Sequence, residues 1–397
     1  MYVAEGQAVL ETFRSLGKGG EKSVSTRPRA RDVGIVVGKM CPGPLNAITD
    51  VPGVAVGHVT LVRGEGPLVP GKGPVRTGVT AIFPHRDNVF EQKVPAAVFV
   101  INGFGKATGL AQIMELGVIE TPIVLTNTLS VGTAWDALCE YMLEENPDIG
   151  VGTGTVNPVV LECNDGFLND IRGRHVKPEH VREALRSASG GPVPEGSVGA
   201  GTGMSCLGFK GGIGTASRVL EGELEGKTLG VLVLANFGSK EDLTIAGVPV
   251  GLEISTEVRG NAPAGSVVVI VATDAPLSSR QLARVAKRCT AGLARVGSTF
   301  SNSSGDFVVA FSTAYRIPHR GRGFVTVSVV RDDSPEFAGL FRAASEATEE
   351  AVLNALFRAE TMVGRDGNVR EALPVAEVLE VLEKYGRKNA NPRVGGF

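Results

Sequence analysis

The bond Gly265-Ser266 stands directly before the run Val267-Val268-Val269-Ile270-Val271-Ala272. A run so rich in Val and Ile predicts a fully buried strand, and the mouth of such a strand is an unusual place for a serine hydroxyl. A chain cut between Gly265 and Ser266 would give Ser266 two reactive groups, its hydroxyl and a free α-amine. That amine titrates near about 7.7–8.0 in model peptides, so it could serve as the base that activates its own side chain. This is the device of N-terminal nucleophiles. The plainer reading is a serine that starts a strand after a glycine turn.

A second constellation follows in Ser301-Asn302-Ser303-Ser304-Gly305-Asp306, where Ser304 lies 38 residues after Ser266 and just before an apolar run at Phe307. A hydroxyl and a carboxylate two residues apart at a strand entry can point to one side. The alternative is an Asx-type turn capped by its own side chains.

Other chemistry-bearing patterns are weaker. Gly66 to Gly73 imitates a phosphate-binding loop, but Gly73 stands where Ser or Thr would bind magnesium, and Pro67 and Pro70 remove backbone donors. The stretch Gly199 to Gly203 lacks the spacing of a dinucleotide fingerprint and has no strand immediately before it. The five histidines are scattered, and His175 and His180 sit in a basic segment that reads as a solvated face rather than a metal site. Metal ligands and cofactors are therefore not expected. A net charge of -2 and 21% charged residues favour neither nucleic acid nor an acidic membrane surface as partner. Five cysteines without CxxC spacing read as reduced, mostly buried thiols. No apolar stretch reaches membrane-spanning length, and the expected location is cytoplasmic.

The elements that must carry these residues follow from the pattern. Strands are predicted at 78–83, 96–101, 229–235, from Ser266 onward, and at 307–311. Helices are predicted at 107–116 and 131–144, from Ser278 or Ser279 to Gly297 along Leu282, Val285, Ala286, Cys289 and Leu293, from Pro335 to about Glu360, and from Pro374 to Tyr385. Without a regular βαβ alternation, stacked sheets covered by helices are favoured over a doubly wound sheet. Residues 1–33, ending in Arg27, Arg29 and Arg31, read as a loosely held extension, and 34–397 as one domain. Ordered structure is expected to begin near Asn46.

Between about Asn46 and Ala372 the chain carries, in order, NAITDVPGVAVGH, GVTAIFPH, INGFGKATG, PIVLTNTLSVG, VVLECNDGFLNDI, EGSVGAGTGM, FKGGIGTAS, VLANFG, GVPVG, AGSVVVIVATDAPL and SNSSGDFVVAFSTA. With these segments it resembles the L-aminopeptidase D-esterase/D-amidase (DmpA-like) and β-peptidyl aminopeptidase family of self-processing serine peptidases. The resemblance implies a four-layer αββα sandwich. It implies cleavage before Ser266 into an α-chain, 1–265, and a β-chain, 266–397. Ser304 matches the family's second catalytic serine, and Asp306 its acidic partner. Asn236 matches the side-chain donor of the oxyanion hole, and Glu162 the carboxylate that receives the substrate's free amino group. One position departs. Characterised members place Tyr two residues after that glutamate, where this chain has Asn164, so either Asn164 replaces an oxyanion donor or one is missing.

The resulting expectation is an aminopeptidase or amidase. It would act without metal or organic cofactor on short peptides, amides or esters with a free amino end, as an oligomer of αβ units, commonly four in the family. Two alternatives stand beside it. An ornithine acetyltransferase-type acyltransferase shares the fold but uses threonine as nucleophile. A protein that no longer cleaves itself would serve as a binding or assembly module. For Glu162 the plain alternative is an ion pair with Arg172 or Arg174 that holds a loop.

Overall fold

The computed structural model describes residues 27–258, 260, 265–321 and 323–387. Its main strands are β1 (Ala55–Arg63), β2 (Val75–Phe83), β3 (Gln92–Gly103), β4 (Ile123–Asn127), β5 (Val159–Cys163), β6 (Gly212–Val219), β7 (Thr228–Asn236), β8 (Ser266–Thr273) and β9 (Gly305–Ser312). The main helices are α1 (Leu110–Leu116), α2 (Val131–Glu145), α3 (Pro178–Arg186), α4 (Ser279–Ala286), α5 (Cys289–Val296), α6 (Pro335–Arg358) and α7 (Val375–Lys384).

Two sheets stack face to face. One runs β1-β2-β4-β5; the other runs β3-β9-β8-β7-β6, with Ile317–Pro318 added on the edge of β3. Helices α2 and α3 cover the first sheet, and α4 and α6 the second, with α5 packed on α6. This is the expected αββα sandwich.

Strand β8 shows why the apolar run folds this way. Alternate side chains of a strand face opposite ways, so a strand between a sheet and a helix layer must be apolar on both faces. Val267, Val269 and Val271 join one core with helical Leu282, Val285 and Leu293. Val268, Ile270 and Ala272 join the other with Ile82, Leu125 and Leu161. Full burial of each Val or Ile contributes about 1.5–3 kcal/mol, which anchors Ser266 at the strand's first position.

Three sequence expectations are corrected. The helix expected from Ser279 to Gly297 is two helices. At the break the Arg288 N–H turns back to the Val285 carbonyl, while the Thr290 and Ser345 hydroxyls take the carbonyls of Lys287 and Arg288. The helix expected from Ala107 starts only at Leu110, because Thr108 donates from its backbone to Val160 and from its hydroxyl to Pro158. Finally, ordered structure begins before Asn46, and residues 27–33 are not loosely held. Ala30 is wholly buried, Arg29 pairs with Glu195 at 2.8 Å and Arg31 with Glu350 at 2.5 Å. The remainder of the predicted extension, residues 1–26, lies outside the described residues.

Candidate active site

Strand register assembles the site. In the antiparallel pair β7/β8, Asn236 stands opposite Ser266, and in the parallel pair β8/β9, Ser266 stands opposite Gly305. One row across three strands therefore joins Asn236, Ser266 and the segment Ser304 to Asp306. None of Asn236, Ser266, Ser304 and Asp306 is more than 6% exposed.

The Ser266 hydroxyl accepts a hydrogen bond from the Gly305 N–H at 3.4 Å. Ser304 donates from Oγ to Asp306 Oδ1 at 2.6 Å, and the same oxygen accepts the Val267 N–H at 3.2 Å. Asp306 thus bonds across to the residue after Ser266, rather than only closing its own turn. Its other oxygen, Oδ2, is buried with no hydrogen-bond partner among the described residues. Burial pushes the Asp306 carboxyl above the usual aspartate range, while the bonds from Ser304 and Val267 hold it down. A shift in register between Asp306 and Phe307 on the β3 side marks a bulge, a feature that re-aims side chains next to sites. Asn102 steadies the incoming loop by donating to the carbonyls of Ser301, Asn302 and Ser304.

Asn236 is held at both ends of its amide. Oδ1 accepts the Ser205 N–H at 2.8 Å, and Nδ2 donates to the Asn164 carbonyl at 3.1 Å. An amide nitrogen carries two hydrogens, so one is left to donate to another acceptor. Asn164 contributes through its backbone. Its side-chain Oδ1 accepts the Gly166 N–H at 2.9 Å and closes a local turn.

Glu162, 2% exposed, lies on β5 opposite Thr126. Its Oε1 accepts the Lys106 N–H at 2.8 Å and its Oε2 the Thr128 hydroxyl. No ion pair to Glu162 exists among the described residues, and Arg174 instead donates to Thr133. A buried carboxylate without a counter-charge is costly and is chemically suited to receive a cation. Gly105 links it to the Ser266 row. A Cβ there would lie 3.1 Å from Gly305 Cα and 3.2 Å from Glu162 Oε1. Gly265 is likewise constrained, because a Cβ would strike the Asn236 carbonyl and Phe237 Cα.

Beside Gly265 and Asn236 opens a cleft of about 270 Å³, walled in part by Ser239, Lys240, Phe300, Ser301 and Ser304. Sequence reasoning assigned no role to Asn102, Lys106, Thr128 or Ser205, although the first three lie within INGFGKATG and PIVLTNTLSVG. Their contributions are positional, and three of them act through the backbone or on a carbonyl, which residue type alone does not reveal. Among the described residues no cluster of His, Cys, Asp or Glu is arranged to hold a metal ion. His175 instead faces Asp170 at 2.9 Å, and His180 caps α3 by accepting the Lys177 N–H at 3.0 Å.

Behind Asn164, burial pushes the Asp165 carboxyl up to about 7 against the bonds of Thr77 and Asn169. An unfolded chain loses that proton near about 3.9. Between these values the native state holds a proton the unfolded state has lost, so stability falls as pH rises through this window. Asp165→Asn is expected to flatten the dependence of Tm on pH between about 4 and 7. An unchanged slope would show that Asp165 is ionised in the fold.

A doubly covered sandwich thus carries a hydroxyl, a hydroxyl–carboxylate pair and an amide donor on one strand row. The chain belongs to peptidase family S58, whose model matches residues 46–370. It is 46% identical over 377 residues to the β-peptidyl aminopeptidase BapA of Sphingosinicella microcystinivorans, covering 91% of this chain and 93% of that one. Among solved structures, the PH0078 protein of Pyrococcus horikoshii matches with a TM-score of 0.88 and 58% identity, over 91% of this chain and all of that chain. The L-aminopeptidase D-Ala-esterase/amidase of Ochrobactrum anthropi, a variant among the Ntn hydrolase folds, matches with a TM-score of 0.85 and 41% identity, over 91% and 100% of the two chains.

Proposed function

We propose that this peptidase is a self-processing N-terminal-serine aminopeptidase and amidase. The observation that carries the reading is the row Asn236, Ser266, Gly305 across β7, β8 and β9. In the precursor, Ser266 Oγ attacks the Gly265 carbonyl carbon and gives up its proton. The Gly265–Ser266 C–N bond breaks, the nitrogen takes a proton, and an ester remains. Water hydrolyses the ester, leaving the Gly265 carboxylate and a free α-amine on Ser266.

That amine then serves turnover. It takes the Oγ proton as Ser266 attacks a substrate carbonyl, and returns it to the leaving amine. The unpartnered Asp306 Oδ2 suits the charge that the amine gains, and Ser304 fixes the other carboxylate oxygen. The free hydrogen of Asn236 Nδ2 meets the oxyanion. Water releases the acyl group. Substrates are short peptides, amides or esters with an unblocked amino end, anchored at Glu162.

Glu162 is tested by selectivity. A charge-assisted contact to an ammonium contributes roughly 1.5–3 kcal/mol, or about ten- to more than a hundredfold in kcat/KM. Aminoacyl p-nitroanilides are expected to be cleaved and their N-acetylated forms not, and Glu162→Gln is expected to narrow that gap by weakening the free-amine substrates. A mutant that loses stability while keeping the full preference would make Glu162 a loop-holding residue.

The protein is further proposed to be cytoplasmic and to assemble as an oligomer of αβ units. No helix among the described residues is long and apolar enough to cross a membrane. Assembly is supported by the exposed apolar residues Phe324, Val325, Val327 and Val329, a patch that favours covering by another surface.

A further inference from the structure

We infer that Lys210 is a positioning residue for the oxyanion donor, acting on Asn236 through the hairpin that carries Ser205. The inference rests on the assignment of Asn236 as that donor.

Lys210 is wholly buried, yet among the described residues no carboxylate lies within ion-pair distance of it. Its Nζ donates instead to two backbone carbonyls, Gly201 at 3.0 Å and Gly211 at 2.7 Å. Burial pushes the ammonium down to about 7, with Asp165 a more distant favourable charge. A cation in such a place costs stability, offset in part by its bonds to two carbonyls. The position calls for a role beyond packing.

The connections of its neighbours supply one. Lys210 pairs with Ser205 across a tight antiparallel hairpin, Ser205–Cys206 against Phe209–Lys210. Leu207 and Gly208 make the turn with positive φ of 47° and 79°. The Ser205 N–H is the group that fixes Asn236 Oδ1. The base of the hairpin is closed by the Gly211 N–H on the Met204 carbonyl at 3.0 Å. The Lys210 ammonium ties that base to the turn Gly199–Gly201. Without it the two carbonyls lose their shared donor, and the Ser205 end of the hairpin can shift while the turn stays tied to the end of β7 by the Leu207 N–H on the Phe237 carbonyl at 2.6 Å. A shift of Ser205 frees Oδ1 and lets the amide rotate, so its remaining hydrogen no longer meets the oxyanion. Glu162 holds the substrate from β5 and the 105–106 loop and is untouched by this change.

The test is Lys210→Met, assayed on an aminoacyl p-nitroanilide with rates expressed per N-terminal Ser266 counted by intact mass. The expected result is kcat lowered about 10- to 100-fold, a fraction of what loss of an oxyanion donor costs. KM should stay within about twofold of wild type. The double variant Lys210→Met/Asn236→Ala is expected to be no slower than Asn236→Ala, because both act on one group. Lys210→Gln, which keeps one N–H for a carbonyl, is expected to fall between Met and wild type. An unchanged kcat in Lys210→Met, or losses that multiply in the double variant, would overturn the inference. So would failure of both Lys210 variants to fold, since Lys210 would then be an ordinary core residue. Wild-type turnover by Asn236→Ala alone is a different outcome, and it would remove the oxyanion assignment itself.

Discussion

Ser266→Ala is expected to yield one intact chain with no amide hydrolysis. The substitution deletes the oxygen that attacks Gly265, so the precursor bond survives and no α-amine is released. It also deletes the proposed nucleophile for turnover, so on this reading activity is lost twice over. The fold should persist, because β8 is held by Val267 to Val271 in two cores and Ser266 contributes only a 3.4 Å contact with Gly305. A denaturing gel and a far-UV spectrum separate these effects. Robust hydrolysis by the uncleaved variant would show that catalysis lies elsewhere.

Asp306→Asn is expected to slow turnover severely while leaving the sandwich folded. The amide keeps the shape and can still accept at one oxygen from Ser304 and Val267. What it removes is negative charge beside Ser266 and, in the proposed mechanism, the stabilisation of a protonated α-amine during proton transfer. Removal of a general acid–base partner typically costs about 100- to 10,000-fold. Because burial already raises this carboxyl, replacing it with a neutral amide should not lower Tm. Wild-type kcat in Asp306→Asn would reduce the carboxylate to a turn cap. A fall in Tm that accounts for the lost activity would make its role structural.

Much of this arrangement is legible in the sequence because the apolar run after Ser266 has one reading. Residues 267–272 are apolar without interruption and mostly β-branched, which marks a strand covered on both faces. The helix starts are equally plain: Ser278 accepts the Gln281 N–H at the start of α4, and α6 begins at Pro335. The expected roles of Glu162 and Asn236 came from the resemblance, and no local spacing reveals them.

Other features depend on groups that a one-dimensional pattern does not expose. The break between α4 and α5 comes from the Thr290 and Ser345 hydroxyls, the latter 57 residues away on α6 from the Arg288 carbonyl it bonds. The anchoring of residues 27–33 rests on partners such as Glu350, more than three hundred residues distant. The orientation of Asn236 is set by one backbone N–H and one carbonyl, groups that every residue but proline carries. Asn164 illustrates the same limit. It stands where the resemblance places a tyrosine, yet its contact with Asn236 runs through the main chain, and its side chain closes a turn on Gly166.

Self-cleavage is the claim on which the nucleophile, its base and the two-chain organisation all depend. The most direct test is the intact mass of the purified wild-type protein, with the N-terminal residue of each fragment read by sequencing. The expected result is two fragments, one ending at Gly265 and one beginning with a free Ser266, both required for activity. A single uncut chain of 41.3 kDa that hydrolyses aminoacyl amides would contradict it.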